Sequence, residues 1–205
     1  MSYCLNEEYE SFLIDRQREE NQNALYILKP VAASCGRGIK LIDSKTNVSK
    51  KQGILACKYV PNPHLINGLK YDLRVYVLVT SFNPMKVYIY DDGLVRFATE
   101  KYNLDPNKLN DRFIHLTNFS VNKKNSKFVK NNDKGNKRDD ESSDGEAQLS
   151  LDSSKWDFKM LAVQYSKMGI NYGLIFNQIK DVVFKTLLSV ENVINQGLQK
   201  NPTNR

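Results

Sequence analysis

The sequence predicts an α+β protein with a β-rich first part and a helical last part. Apolar runs enriched in β-branched and aromatic residues recur between residues 24 and 99, as expected of strands. Residues 155–168 and 174–196 instead carry apolar side chains at helical spacing. A charged stretch poor in apolar residues separates them. We therefore expect four regions: a helical lead-in at 1–23, a β-rich part at 24–121, a disordered charged loop at 122–154 and a helical part at 155–205.

The individual elements follow from local composition. Residues 5–22 are rich in Glu, Gln and Arg with sparse apolar positions, which predicts a surface helix. Strands are predicted at 24–28, 38–43, 54–60 and 69–80. Two more, at 86–90 and 94–99, are expected to form a hairpin, because Gly93 in Asp91-Asp-Gly93 can adopt the left-handed conformation of a short turn. In the last helix, 174–196, one broad apolar face is predicted to serve as scaffold.

The turn between the first two strands is rich in glycine and cations. Gly36 and Gly38 lack a Cβ and allow close approach of the backbone to a ligand, while Lys29 and Arg37 supply positive charge. This composition favours a phosphate-binding turn. The apolar runs on both sides are short and strand-like, so the turn is predicted to join a β-hairpin, whereas a Walker loop leads from a strand into a helix. An ordinary glycine hairpin with Lys and Arg in solvent is the alternative.

Composition excludes several classes of protein. The 205 residues, 40% hydrophobic, suffice for one core or two lobes. No apolar run is long enough for a membrane span or a secretory signal, so we expect an intracellular protein. Three scattered cysteines, Cys4, Cys35 and Cys57, predict reduced thiols. The net charge of +7 favours an acidic partner, and the basic run 123–138 is either solvated or holds an acidic polypeptide or nucleic acid.

Polar residues at the start of the fourth strand are candidates for a site. Strand alternation places Lys70 and Asp72 on one face, where they would meet a ligand or form an ion pair with each other. Arg96 lies in an apolar strand and either reaches water or anchors a carboxylate.

The segment His115-Leu-Thr-Asn-Phe-Ser120 carries the remaining candidates. His115 is predicted to be a core histidine with its hydrogen bonds satisfied rather than a general base. Thr117, Asn118 and Ser120 would line a site or cap a turn. None of these features identifies a function alone, so we compare the order in which they occur along the chain.

In that order, the segments resemble the tubulin tyrosine ligase-like family, most closely its glutamylase branch. The resemblance covers residues 24–195 apart from the charged insertion. It is carried by Lys-Pro…Gly-Arg-Gly-Ile from Lys29, Lys-Tyr-Asp-Leu-Arg-Val-Tyr-Val-Leu-Val-Thr from Lys70, Arg-Phe-Ala-Thr-Glu-Lys-Tyr from Arg96 and His-Leu-Thr-Asn-Phe-Ser from His115. The resemblance implies an ATP-grasp fold, in which two α+β lobes hold ATP between them.

The activity implied by the resemblance is ATP-dependent addition of glutamate to glutamate side chains of tubulin, through an acyl phosphate. The implied cofactors are ATP and Mg²⁺, and the implied partners are acidic tubulin tails and free L-glutamate, with no nucleic acid and no membrane. The implied location is the cytoplasm and cytoskeleton, with the cilium or basal body as a narrower alternative. The resemblance leaves open α- or β-tubulin, initiation or elongation, and glutamate or glycine as the added residue.

The resemblance also implies roles for individual residues. Lys29 would contact the ATP phosphates, and Arg96 would hold the carboxylate of the incoming amino acid with Ser120 nearby. Residues 57–60 would form the hinge that receives adenine, largely through backbone groups. The full set implied for ATP is Lys29, Cys35, Gly36, Arg37, Gly38, Cys57, Lys58, Tyr59, Val60, Lys70, Tyr71, Asp72, Thr117 and Asn118.

Departures from the family pattern limit this transfer. Cys35 stands where related glutamylases have Arg or Gln facing the acceptor glutamate, Cys57 replaces a common hinge Gln, and Phe119 replaces a common Tyr. No counterpart of the family's Asp…Glu-x-Asn magnesium segment occurs in the 205 residues. We therefore expect a truncated chain, inactive alone and poorly stable. A non-catalytic module that binds nucleotide or tubulin tails is one alternative, and a basic nucleic-acid-binding protein is another.

Overall fold

A computed structural model describes residues 1–129 and 153–200, which belong to two compact units. The first unit contains residues 1–72, 96–129 and 153–154 of the described chain, and the second contains 73–95 and 155–200. The mixture of helices and antiparallel strands confirms the predicted α+β class.

A four-stranded antiparallel sheet with the order β1-β4-β2-β3 is the core of the first unit. Tyr26 lies opposite Ile42 on one neighbouring strand and Lys58 on the other. The predicted strands at 24–28, 38–43 and 54–60 are confirmed with small shifts at their ends. The elements are β1 (Ser2–Cys4), α1 (Tyr9–Gln17), a 3₁₀ turn (Glu19–Asn21), β2 (Leu25–Pro30), β3 (Lys40–Asp43) and β4 (Ile54–Lys58).

Helix α1 is shorter than the predicted helix at 5–22. Its buried face centres on Phe12, which is fully buried and packs edge-on against Tyr26 with 5.3 Å between ring centroids. Beyond Gln17 the chain turns, and the Asn21 side-chain amide donates to the Asp15 carbonyl at 2.7 Å. Tertiary bonding of this kind ends the helix earlier than propensity alone predicts.

The second sheet has the order β5-β6-β7-β8. Its strands are β5 (Leu65–Ile66), β6 (Leu69–Phe82), β7 (Met85–Lys101) and β8 (Lys155–Trp156). The long strands β6 and β7 each contribute residues to both units. The predicted hairpin around Asp91-Asp-Gly93 is wrong, because β7 continues through these residues and the turn falls at Asn83-Pro84.

Gly93 is a packing glycine rather than a turn glycine. A Cβ added there would collide with the Arg74 carbonyl oxygen and would lie 2.5 Å from Cζ of Phe158. The composition Asp91-Asp-Gly93 is typical of a turn, but pairing with the long strand β6 keeps the backbone of β7 extended through these residues.

Two short helices follow β7 in the first unit, α2 (Arg112–His115) and α3 (Phe119–Asn122), preceded by a 3₁₀ turn (Pro106–Lys108). The Asp111 carboxylate caps α2 by accepting from the Phe113 amide at 2.9 Å. Neither helix has the length at which apolar periodicity becomes visible, which explains why the sequence did not predict them.

The second unit contains α4 (Phe158–Lys167) and α5 (Tyr172–Lys200). Asp157 caps α4 through a bond from the Met160 amide at 2.7 Å, and the rings of Phe158 and Phe176 pack at 6.4 Å. Trp156 is buried. Among the described residues of α5 none is fully buried, so its predicted apolar face is only partly covered.

The predicted disordered loop at 122–154 is ordered at its edges. The Lys127 ammonium pairs with Glu100 at 2.6 Å, and the Ser154 amide donates to the Val129 carbonyl at 3.1 Å. The remainder of that prediction, residues 130–152, lies outside the described residues. Across 1–129 and 153–200, none of the helices combines the length and hydrophobicity required to cross a lipid bilayer.

Candidate active site

The glycine-rich turn connects β2 and β3, which pair as the predicted antiparallel hairpin. Gly36 and Gly38 have φ angles of 71° and 70°, the left-handed values that favour glycine. Cys35 also has a positive φ, 61°, which costs a non-glycine residue about 1–2 kcal/mol. We call residues 31–39 the covering loop.

Gly38 is expected to tolerate no side chain. A Cβ there would combine the left-handed φ with a 2.8 Å contact to Cγ of Pro30, so Gly38→Ala should lower the free energy of unfolding by about 2–3 kcal/mol. Gly53 is a matched control, because it has a φ of 69° but no described atom within 4 Å of an added Cβ. Urea unfolding followed by circular dichroism should show a smaller loss for Gly53→Ala, and equal losses would contradict the predicted clash.

Lys70 is the central cation of the site. Its Nζ donates to the Tyr59 hydroxyl at 2.8 Å and to the His115 carbonyl at 3.1 Å, and it lies 4.5 Å from the Tyr59 ring centroid. The pKa of Lys70 is lowered to about 8, chiefly by burial and in part by the charge of Lys29, against the opposing effect of Asp72. A partly buried ammonium such as that of Lys70 favours a bound anion.

Of the two alternatives for Lys70 and Asp72, a ligand or an ion pair with each other, the ion pair is not among the contacts of the described residues. Asp72 instead accepts two hydrogen bonds from Arg96, one from Nε at 2.8 Å and one from the terminal nitrogen Nη2. Both side chains are partly exposed. The pairing of β6 with β7 brings Asp72 and Arg96 together, and the planar guanidinium matches the carboxylate in a bidentate arrangement. Arg96 thus binds a carboxylate of the chain itself, and its role toward the carboxylate of a ligand stays a prediction.

His115 is buried, as predicted. Its Nδ1 lies 3.3 Å from the Tyr59 hydroxyl, and a hydrogen bond with the Lys108 backbone raises its pKa against the stronger effect of burial. Burial and the adjacent charge of Lys70 lower the pKa of His115, which favours a neutral ring. The Tyr59 hydroxyl is also buried, and its burial raises the pKa of that group.

Residues 57–60 connect β4 to the Lys70 site. Tyr59 is buried, Cys57 packs in the same apolar cluster, and Lys58 and Val60 are exposed. The amides of Lys58 and Tyr59 already donate to the carbonyls of Met1 and Leu25 at 3.0 and 2.8 Å. Backbone recognition of a ligand here would therefore use carbonyl oxygens or the Val60 amide.

The covering loop rests on α3. The Ser120 hydroxyl donates to the Cys35 carbonyl at 2.9 Å, and a Cβ on Gly36 would lie 3.0 Å from Oδ1 of Asn118. Asn118 occupies the N-cap position of α3 but makes no side-chain capping bond in the described structure, which removes capping as the alternative for this residue. Thr117 immediately precedes it in the chain.

The resemblance implies that Tyr71 belongs to the ATP site, but its side chain packs away from Lys70 and Asp72. Its hydroxyl hydrogen-bonds Nδ1 of His64 at 2.9 Å, and its ring packs against Phe97 at 5.8 Å. Strand alternation explains this, because Tyr71 points to the face opposite Lys70 and Asp72.

A cavity of about 500 Å³ beside the covering loop is lined by Cys35, Arg37, Arg112, Ser120 and Lys123 among others. Hydrogen bonds from Ser34 and Ser120 lower the pKa of the Cys35 thiol, helped by the charges of Arg37 and Lys123. Sequence reasoning missed Arg112, since only the tertiary fold places it near the loop. All three cysteines are free thiols, as predicted.

The described residues offer no acidic centre for a metal. Within 1–129 and 153–200, no group of three or more His, Cys, Asp or Glu side chains is arranged to hold a metal ion. The donors of this site are amines, amides, hydroxyls and one paired carboxylate, whereas Mg²⁺ prefers several oxygen ligands.

Comparison with known proteins finds relatives across nearly the whole chain. The sequence profile of the "Tubulin-tyrosine ligase family" matches residues 1–205. Tubulin monoglutamylase TTLL4 of Mus musculus is 37% identical over 190 residues, which cover 93% of this chain and 15% of that protein. Tubulin polyglutamylase TTLL5 of Homo sapiens is 33% identical over 193 residues, 94% of this chain and 14% of that protein. Tubulin polyglutamylase TTLL7 of Mus musculus is 34% identical over 188 residues, 90% of this chain and 18% of that protein. The chain thus spans less than a fifth of the length of these relatives.

Proposed function

Because this chain belongs to the tubulin-tyrosine ligase family, we propose that the protein is an ATP-dependent ligase that adds glutamate to glutamate side chains of tubulin. The observation that carries the proposal is the partly buried ammonium of Lys70, held by the Tyr59 hydroxyl and the His115 carbonyl, on the strand that also carries Asp72, the partner of Arg96. A ligase that joins a carboxylate to an amine with ATP needs cations for the phosphates and a separate cation for the amino acid.

The residues present fit a nucleotide. Lys29 and Lys70 would hold its phosphates under the covering loop, where Cys35, Gly36, Arg37 and Gly38 bring the backbone close. The glycines fit this role, since side chains at Gly36 and Gly38 would crowd Asn118 and Pro30. Further contacts would come from Asp72 beside Lys70 and from Thr117 and Asn118 at the start of α3. The adenine would lie against the hinge Cys57, Lys58, Tyr59 and Val60. Tyr71 supports this wall from behind rather than touching the ligand, which revises its implied role.

Arg96 would hold the α-carboxylate of free glutamate, with the Ser120 hydroxyl as a further donor. The bond to Asp72 fixes the plane of the Arg96 guanidinium before the amino acid arrives. Fixed donors lose less entropy when the ligand binds. In this arrangement Asp72 positions Arg96 while lying next to the phosphate-binding Lys70.

The proposed chemistry has two steps. The terminal phosphoryl group of ATP passes to the γ-carboxylate of an acceptor glutamate, which releases ADP and forms an acyl phosphate. The amine of the held glutamate then attacks the acyl carbon, forms the amide and releases phosphate. Lys29 and Lys70 neutralise charge in the first step, and Arg96 orients the amine in the second. Within residues 1–129 and 153–200, no cluster of side chains fits Mg²⁺.

The proposed partner is an acidic tubulin tail, in keeping with the net charge of +7 and the cations Arg37, Arg112 and Lys123 around the cavity. The proposed location is the cytoplasm and cytoskeleton, with the cilium or basal body as the narrower proposal. A second candidate is a non-catalytic module that binds nucleotide or tubulin tails. Cys35 favours it, because a thiol in the covering loop lacks the fixed positive charge of a guanidinium.

The test is ATP-dependent incorporation of labelled glutamate into tubulin by the purified protein. Incorporation that requires ATP and disappears when the acidic tails of tubulin are removed would establish the ligase and overturn the expectation that these 205 residues are inactive alone. ATP binding without incorporation would favour the module. RNA binding with a steep salt dependence, and no ATP binding, would favour a nucleic-acid-binding protein instead.

A further inference from the structure

The covering loop is held in an unusual backbone conformation. Cys35 and Gly36 are consecutive residues with φ angles of 61° and 71°. The conformation is unfavourable for Cys35, so contacts from outside the loop have to maintain it.

Two carbonyl oxygens of the loop accept hydrogen bonds from other elements of the first unit. The Ser120 hydroxyl donates to the Cys35 carbonyl at 2.9 Å, and Nη2 of Arg112 donates to the Gly36 carbonyl. The second bond carries the charge of the guanidinium, which makes it the stronger of the two. Gly36 is buried against Asn118 and Val121, so the loop backbone lies directly on α3.

Arg112 is itself well anchored through the backbone of α2. The Asp111 carboxylate accepts from the Phe113 amide at 2.9 Å, and the Leu116 amide donates to the Arg112 carbonyl at 3.0 Å. The same turn presents the His115 carbonyl to Lys70 at 3.1 Å. One short helix therefore contacts both the covering loop and the central cation of the site.

We propose that Arg112 is a positioning residue that holds the covering loop closed over the nucleotide site through the Gly36 carbonyl. The identity of that site rests on the proposed function, whereas the contact between Arg112 and the loop does not. No role for Arg112 follows from the sequence motifs, because it lies outside all of them. By holding Gly36, Arg112 keeps the loop backbone near Lys29 and Lys70 without contacting the ligand itself.

Hydrogen–deuterium exchange of residues 31–39 tests the contact directly. The Arg37 amide, which donates to the Ser34 carbonyl at 3.1 Å, reports on the closed turn. Arg112→Gln should speed exchange in the loop about fivefold to tenfold, with β4 and α1 unchanged. Arg112→Lys keeps a cationic donor and should restore at least half of the protection. Lys108→Gln is the charge-matched control, an exposed lysine on the preceding 3₁₀ turn, and should leave the loop unchanged.

The ATP dissociation constant, measured by calorimetry on the same proteins, should rise about fivefold for Arg112→Gln and stay constant for Lys108→Gln. Unchanged loop exchange in Arg112→Gln would overturn the proposal, as would equal loosening in Arg112→Lys. Faster loop exchange in Arg112→Gln, restored in Arg112→Lys, upholds it even if no version binds ATP. In that case the positioning role stands and the proposed function fails.

Discussion

Replacing Arg96 with alanine is expected to reduce the use of free glutamate about a hundredfold or more, because the substrate carboxylate loses a charge-assisted, bidentate partner. Arg96 lies beside Asp72 rather than among the phosphate-binding lysines. The ATP dissociation constant should therefore stay within about threefold of the original value. Glutamate-dependent kinetics and ATP calorimetry on the same preparation measure the two effects separately.

Two further variants show whether orientation or charge matters at this position. Arg96→Lys keeps the charge but loses the planar fork, so it should recover only part of the activity. Asp72→Asn keeps the shape but removes the paired charge, and it should raise the KM for glutamate by freeing the Arg96 guanidinium to rotate. If Arg96→Ala abolished ATP binding, the assigned role would be refuted.

Replacing Lys70 with methionine is expected to weaken ATP binding about a hundredfold, because a half-buried ammonium beside the phosphates is lost while the length of the side chain is nearly kept. The Tyr59 hydroxyl and the His115 carbonyl also lose a donor. Calorimetric titration with ATP at pH 7 measures the effect.

The pH dependence of the unaltered chain gives an independent check. The pKa of Lys70 is lowered to about 8, so ATP affinity should fall as pH rises through this value and the ammonium loses its proton. Lys70→Met should flatten this part of the profile. Lys29→Gln removes a charge that lowers the pKa of Lys70, so the remaining fall in affinity should move to higher pH. An unaltered profile in Lys70→Met would contradict the assignment.

The lowered pKa of Lys70 makes stability and ATP affinity change with pH in opposite directions. The pKa of Lys70 in the folded chain lies below its ordinary value of 10.5, so the unfolded chain binds more protons between about pH 8 and 10.5. The contribution of Lys70 to the free energy of unfolding therefore rises with pH across this window, while ATP affinity falls.

Local patterns predicted the parts of the fold that depend on neighbours in sequence. The hairpin of β2 and β3 followed from the composition of one short segment. The resemblance seen in the motifs is confirmed by the family match over residues 1–205. Strand β1 was missed because three residues carry no periodicity, and only pairing with β4 reveals it.

The site was predicted less completely than the fold, because its contacts depend on strand register and loop placement. Alternation placed Lys70 and Asp72 on one face but could not show that Arg96, 24 residues further along, takes Asp72 as its partner. Alternation also separates Tyr71 from the site, although the motif includes it. Arg112 contacts Gly36 across 76 residues of sequence, a distance over which no local pattern carries information.

The packing around Gly93 determines which residues can replace it, and these differ from the residues that a turn would accept. A glycine in a turn is commonly exchanged for Asn or Asp, which also adopt left-handed conformations. At Gly93 every side chain begins with a carbon atom that would meet the Phe158 ring and the Arg74 carbonyl. Substitution at Gly93 is therefore restricted by packing and not by the backbone conformation of a turn. A homologue with any other residue at this position must move the Arg74 carbonyl and the Phe158 ring away from it.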